Sequence, residues 1–205
     1  MKRLITFGDS VTWYDRQRYL ATTHTPGQHC VGYQQVLRAT FGVPVRNEGV
    51  SGETLQQIVQ RVATFAFRPG DVLVLFGGIN NFNKEALSQI GSPSTLAPET
   101  FTGATRHCLT QLAQTHPSMP VLLVAPYPVY KREKGWSAGA YRERILALGR
   151  EFDRPVCDLW ALDVKADVTR FFADDVAQTG FLFHPTDWGH RLIGRQLADA
   201  LAQLN

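Results

Sequence analysis

Five short apolar runs alternate with helical segments along this sequence, and this alternation restricts the fold more than any other feature. The runs are residues 4–7, 43–45, 72–76, 121–125 and 156–159. Each is mostly apolar, which is typical of a strand buried on both faces. Between the runs, apolar residues recur at helical spacing, for example at Leu55, Ile58 and Val62. The pattern predicts an α/β fold: a three-layer α/β/α sandwich around a flavodoxin-like parallel sheet of about five strands.

Two longer segments interrupt the alternation. Residues 13–31 and 82–98 contain Gly, Pro, Ser and Thr but little periodicity, so we expect long loops there. Long loops in compact domains are often functional. A last helix is predicted over residues 188–204, where it would pack against the sheet.

Size and charge limit the classes of function. The 205 residues suit one globular domain over residues 1–205, and the formal charge of +3 is spread along the chain, so no nucleic-acid partner is expected. No run approaches the ~18 apolar residues of a membrane helix, and the first apolar run is too short for a signal peptide. Three distant cysteines match no disulfide or metal spacing. We expect a cytoplasmic protein without a membrane span, metal or other cofactor; its oligomeric state stays open.

Residues with chemical potential follow the first three predicted strands. Ser10 follows the first, Gly52 the second and Asn80 the third. Ligands bind at the carboxyl ends of strands in such sheets. A hydroxyl, an unobstructed backbone N–H and a side-chain amide are the parts of an acyl-transfer site. Such a site also needs a general base, and His184, just before the last helix, is the candidate.

These residues also carry a family resemblance. Gly8-Asp9-Ser10, Gly52, Gly78-Ile79-Asn80 and His184-Pro185 occur in the order of the sequence blocks of SGNH or GDSL hydrolases, and the chain resembles that family over nearly its whole length. The resemblance implies a cofactor-free serine esterase, of the lipase/acylhydrolase type, that cleaves small-molecule carboxylic esters through an acyl-enzyme. It implies that Ser10 is the nucleophile and His184 the general base. It further implies an oxyanion hole of the Ser10 N–H, the Gly52 N–H and the Asn80 side chain.

Two positions depart from that family. It usually has an Asp three residues before its histidine, where this chain has Phe181, and an Asp where this chain has Asn81. A backbone carbonyl, Asp174 or Asp175 remains available to orient the histidine. The alternative function is a catalytically weak or inactive SGNH-like binding module.

A second base is also possible, because Asp187 and His190 form an Asp-x-x-His sequence. These residues would share one helix face. A carboxylate at a helix start, however, more often caps N–H groups than tunes a base. The family resemblance also implies a packing role for His190, so His184 is the preferred base.

Overall fold

The computed structural model describes residues 1–204, and its centre is a five-stranded parallel sheet. The described residues form eight strands in two sheets: β1 (Arg3–Gly8), β2 (Val45–Gly49), β3 (Asp71–Phe76), β4 (Val121–Ala125), β5 (Val129–Lys131), β6 (Gly135–Ser137), β7 (Val156–Asp158) and β8 (Phe181–Leu182). The main sheet has the order β2-β1-β3-β4-β7, and every neighbouring pair is parallel. This is the flavodoxin-like order, so the predicted fold class is confirmed.

Helices cover both faces of this sheet. They are α1 (Ser10–Trp13), α2 (Tyr33–Phe41), α3 (Leu55–Ala63), α4 (Ile79–Lys84), α5 (Phe101–Thr115), α6 (Gly139–Glu151), α7 (Val168–Phe171), α8 (Val176–Thr179) and α9 (Asp187–Ala202). Helix α2 packs against α9, and α5 packs against both α3 and α6. Strands β3 and β4 are buried along their whole length between these layers. Within residues 1–204, every helix is too short or too polar to cross a bilayer.

The second strand differs from its prediction. We expected residues 43–45, but β2 spans Val45–Gly49 and pairs with β1 from Leu4↔Val45 to Gly8↔Gly49. It is one of the two edge strands of this sheet, and most of its residues are only partly buried. Polar residues are therefore tolerated there, and apolar patterning alone placed the strand too early.

A second, smaller sheet was not predicted. Strands β6, β5 and β8 form it in that order, and both pairings are antiparallel. Strands of two or three residues are too short to show a period. This sheet matters for function because β8 leads directly to His184.

The two predicted loops have different outcomes. The segment 13–31 is irregular after α1 and is joined by isolated bridges, Arg18↔His29 and Thr23↔Asp174. The segment 82–98 begins inside α4 and includes a short 3-10 turn, Leu87–Ile90. Helix α4 continues to Lys84 because Lys131 and Lys134 donate to carbonyls at its end, those of Asn83 and Phe82.

Candidate active site

Three turns at the carboxyl ends of β1, β2 and β3 are joined by hydrogen bonds. The Val50 N–H donates to the Gly8 carbonyl (3.0 Å), which joins the first turn to the second. Asn80 Nδ2 donates to the Glu53 carbonyl (3.0 Å), which joins the second turn to the third. The predicted residues Ser10, Gly52 and Asn80 are therefore brought to one edge of the sheet.

Ser10 is the first residue of α1 and is 5% exposed. The Asp9 carboxylate caps this helix by accepting the Val11 N–H at 3.0 Å. Ser10 Oγ lies 3.0 Å from His184 Nε2. The predicted serine and histidine are thus within hydrogen-bonding distance although 174 residues separate them.

The other imidazole nitrogen contacts a carboxylate. His184 Nδ1 lies 2.8 Å from Asp174 Oδ1. Asp174 Oδ2 also accepts the backbone N–H groups of Phe183 (2.6 Å) and His184 (2.7 Å). Asp174 is 2% exposed and holds both the ring and the backbone of His184. Of the three orienting groups that the sequence left open, the structure brings Asp174 to the histidine.

Loop 13–31 holds the segment that carries Asp174. The Asp175 N–H donates to the Thr22 carbonyl (3.0 Å), and the His24 N–H donates to the Ala173 carbonyl (2.8 Å). The Ala173 N–H in turn donates to the His184 carbonyl at 2.8 Å. The loop, the carboxylate and the histidine therefore form one hydrogen-bonded layer.

Opposing effects act on the pKa of His184. Burial alone lowers it, but the charge and hydrogen bond of Asp174, with the charge of Asp9, outweigh burial and raise it above its ordinary value. Burial also raises the pKa of Asp9 to about 6, and one of its carboxylate oxygens has no partner within residues 1–204. Because its pKa is raised, the His184 imidazole is a stronger base than an isolated histidine.

Three N–H donors lie at this edge of the sheet. Gly52 adopts φ +84, a left-handed conformation that favours glycine, so its N–H is oriented by a turn that other residues form poorly. Across the described chain, neither the Ser10 N–H nor the Gly52 N–H has an acceptor. Asn80 Nδ2 uses one hydrogen for the Glu53 carbonyl and keeps a second. Three donors thus remain available at this edge.

The sequence of this chain matches a known family profile. The profile of the GDSL-like Lipase/Acylhydrolase family matches residues 6–192, which include Ser10, Gly52, Asn80, Asp174 and His184. The chain belongs to this family. As a GDSL-like hydrolase it is an ester-cleaving enzyme. No curated protein matches the chain by sequence.

Several solved structures share this fold. A possible lipase from Chitinophaga pinensis DSM 2588 has a TM-score of 0.70 at 17% identity, over 100% of this chain and 99% of that one. A protein from Lactobacillus plantarum has a TM-score of 0.74 at 24% identity, over 98% and 97%. An acetyl xylan esterase variant from Geobacillus stearothermophilus has a TM-score of 0.62 at 17% identity, over 98% and 94%. At these identities the similarity concerns the fold.

The two departures of this GDSL-like hydrolase have structural explanations. Phe181 stacks on Phe183 with ring centroids 4.5 Å apart, and Asp174 faces the histidine instead. Asn81 Oδ1 accepts the Leu55 N–H (2.8 Å), so its amide fixes the start of α3. The observation that favoured an inactive binding module, the missing acid at position 181, therefore loses its force.

The rival pair does not form a second site. His190 is fully buried, and neither ring nitrogen has a partner in residues 1–204. Burial lowers its pKa to about 3, so it is neutral. Asp187 instead accepts the Tyr19 hydroxyl (3.0 Å) and the Val31 N–H (2.9 Å), which ties loop 13–31 to α9.

Other nucleophiles and ligands are less suitable. All three cysteines are buried, and burial raises the pKa of each thiol to about 12, so none is a thiolate at neutral pH. The described residues contain no group of three His, Cys, Asp or Glu side chains arranged to hold a metal ion.

Proposed function

We propose that this GDSL-like hydrolase cleaves carboxylic esters through an acyl-enzyme on Ser10. The observation that carries the proposal is the continuous contact from Ser10 Oγ to His184 Nε2 (3.0 Å) and from His184 Nδ1 to Asp174 Oδ1 (2.8 Å). Nucleophile, base and orienting acid in this order activate serine in unrelated hydrolases. The sequence predicted the first two members and left the third open.

In the first half-reaction, His184 Nε2 takes the Ser10 proton as Oγ attacks the ester carbonyl carbon. Negative charge then develops on the carbonyl oxygen. The N–H groups of Ser10 and Gly52 and the free Asn80 Nδ2 hydrogen stabilise it. When the carbon–oxygen bond to the alcohol breaks, His184 gives its proton to the leaving oxygen, and the acyl group stays on Ser10.

In the second half-reaction, water replaces the alcohol. His184 takes a proton from water, and the resulting hydroxide oxygen attacks the acyl carbon. The same donors stabilise the second oxyanion. Breaking the bond to Oγ releases the carboxylic acid, and His184 returns the proton to Ser10. Asp174 accepts the Nδ1–H throughout, which keeps Nε2 free and stabilises the imidazolium.

A short activated ester is the appropriate first substrate. One similar structure is named an acetyl xylan esterase, and an acetyl group makes few demands on an acyl pocket. We therefore propose 4-nitrophenyl acetate as the assay ester, and a fluorophosphonate as a covalent label for the nucleophile.

The decisive experiment compares the wild type with Ser10→Ala, His184→Ala and the matched control Ser51→Ala, an exposed serine in the neighbouring turn. Ser10→Ala and His184→Ala should each lower kcat by more than about 10³-fold. Circular dichroism should show that both variants keep the fold. Ser51→Ala should retain activity. The mass of the wild type should rise by that of one bound phosphonyl label, and the mass of Ser10→Ala should not change. An inactive wild type, or full activity in Ser10→Ala, would overturn the proposal.

A further inference from the structure

A cavity of about 260 Å³ lies beside α4, the helix that carries Asn80. Its lining consists of Phe82, Glu85, Ala86, Lys134, Ser137 and Tyr141. Cavities for drug-sized ligands are about 300–1,000 Å³, so this one suits a smaller group. It is distinct from the Ser10–His184 pair, whose residues do not line it.

The cavity is close to the proposed catalytic residues in two ways. A Cβ placed on Gly78, which begins the turn to Asn80, would lie 3.6 Å from Tyr141 Cβ. The Phe82 ring packs edge-on against Phe183, with centroids 6.3 Å apart, and Phe183 precedes His184. The cavity therefore lies next to the elements that carry Asn80 and His184.

Two buried polar atoms of the cavity residues have no partner. They are Tyr141 OH and Glu85 Oε2, and neither makes a hydrogen bond within residues 1–204. The other Glu85 oxygen accepts from Gln56 Nε2 at 3.0 Å. Burial, and then the charge of Glu85, raise the pKa of Tyr141, so its hydroxyl is a proton donor at neutral pH. Leaving such groups unpaired costs free energy, and each calls for a partner.

The lining also restricts the charge of a partner. Lys134 Nζ already donates to the carbonyls of Phe82 and Glu85, so most of its hydrogen-bonding capacity is used. Glu85 repels a carboxylate or phosphate, and the Lys134 ammonium repels a cation. An apolar group would leave Glu85 Oε2 unpaired. A neutral hydroxyl fits best, because one hydroxyl donates to a carboxylate and accepts from a phenol at the same time.

We infer that this cavity binds a hydroxyl-bearing alcohol portion of the ester substrate, a polyol such as a single sugar, through Glu85 Oε2 and Tyr141 OH. This inference rests on the proposed function. Ser137, at the end of β6, adds a third hydroxyl to the lining. The Phe82 ring supplies an apolar wall for the carbon skeleton.

Two esters of matched size test the inference. One is methyl glucoside acetylated at its primary hydroxyl, and the other is cyclohexylmethyl acetate, which has a similar ring but no hydroxyls. The measured quantity is the ratio of kcat/KM for the sugar ester to kcat/KM for the cyclohexyl ester. Glu85→Gln replaces the acceptor by an NH₂ group, and Tyr141→Phe removes a hydroxyl that no protein group uses. Each should lower the ratio about tenfold.

The matched control is Glu133→Gln. This carboxylate lies between β5 and β6, with its side chain 69% exposed, and it does not line the cavity. The ratio should be unchanged in this variant. Ratios within about twofold of the wild type in both Glu85→Gln and Tyr141→Phe would overturn the inference.

A binding measurement separates this inference from the proposed function. Ser10→Ala is titrated with methyl glucoside, and backbone amide shifts are followed by nuclear magnetic resonance. Shifts at residues 82–86 and 134–141 that vanish in Glu85→Gln are expected. Absence of such shifts, as for a cavity that holds only water, would overturn the inference. If no ester is hydrolysed, the proposed function fails, while the titration still decides the cavity because it needs no turnover.

Discussion

Replacing Asp174 by asparagine changes one charge at the proposed catalytic residues and almost no volume. Asp174 Oδ2 accepts two backbone N–H groups, at 2.6 and 2.7 Å, and Oδ1 faces His184 Nδ1 at 2.8 Å. The single amide oxygen of asparagine is needed by the two backbone donors. Its NH₂ group therefore faces Nδ1, which must then accept a hydrogen bond.

The consequence is the wrong tautomer of His184. With Nδ1 as acceptor, the ring proton moves to Nε2, which faces Ser10 Oγ and can no longer take its proton. In Ser-His-Asp hydrolases the same replacement lowers kcat about 10⁴-fold, which corresponds to about 5 kcal/mol in the barrier. The pKa of His184 should also fall, because burial lowers it and the opposing Asp174 charge is gone.

The assay is kcat on 4-nitrophenyl acetate as a function of pH, with urea unfolding as a measure of stability. Asp174→Asn should lose about 10⁴ in kcat but only ~1 kcal/mol in stability, because both backbone hydrogen bonds persist. The matched control is Asp175→Asn, whose carboxylate caps α8 by accepting the Ala177 N–H. It should retain kcat. A kcat of Asp174→Asn within about tenfold of the wild type, or an equal loss in Asp175→Asn, would refute a role for Asp174 in orienting His184.

Three further variants give independent checks. The Cβ of Gly52→Ala meets only Lys84 Nζ, at an ordinary contact distance of 3.7 Å, but at φ +84 the substitution should cost ~1–2 kcal/mol in urea unfolding and, by turning the N–H, lower kcat roughly 10²-fold; wild-type kcat would contradict this. Asp9→Asn should lower the pKa of His184 and move the acidic limb of kcat/KM to lower pH. Because the Asp9 pKa is raised to about 6, the wild type should lose stability as pH rises from about 4 through 6, and Asp9→Asn should not. His190→Leu should keep kcat, which would exclude His190 as the base. Because the His190 pKa is lowered to about 3, only the wild type should lose stability through this residue as pH falls from about 6.5.

Much of the fold was predictable because the buried strands have a distinctive apolar sequence pattern. Strands such as β3 and β4 are apolar at nearly every position since both faces are covered. Once the sheet is parallel, the ends of β1, β2 and β3 must meet at one edge, so Ser10, Gly52 and Asn80 could be grouped from sequence alone. His184 could be added because the last helix had to return to the sheet.

Features that depend on single tertiary contacts were not predictable. Strand β2 is a half-exposed edge strand, and its polar residues made its bounds unpredictable from apolar patterning. The strands of the small sheet are two or three residues long, and their pairing follows from how the hairpin of β5 and β6 meets β8. The cavity beside α4 depends on the same arrangement, because Lys134 and Ser137 reach it from that hairpin.

The proposed orienting acid, Asp174, is the clearest case, and its position explains Phe181 as well. Asp174 lies ten residues before His184 rather than three. It is held there by the bridge Thr23↔Asp174 and by the bond from the Ala173 N–H to the His184 carbonyl. The sequence offered Asp174 only as one of three candidates, because a loop 151 residues earlier in the chain positions this carboxylate. With the acid supplied from this side, position 181 no longer needs a carboxylate, and a phenyl ring there packs on Phe183 and edge-on against His184. An aspartate introduced at 181 would therefore lose this packing without finding a free Nδ1–H.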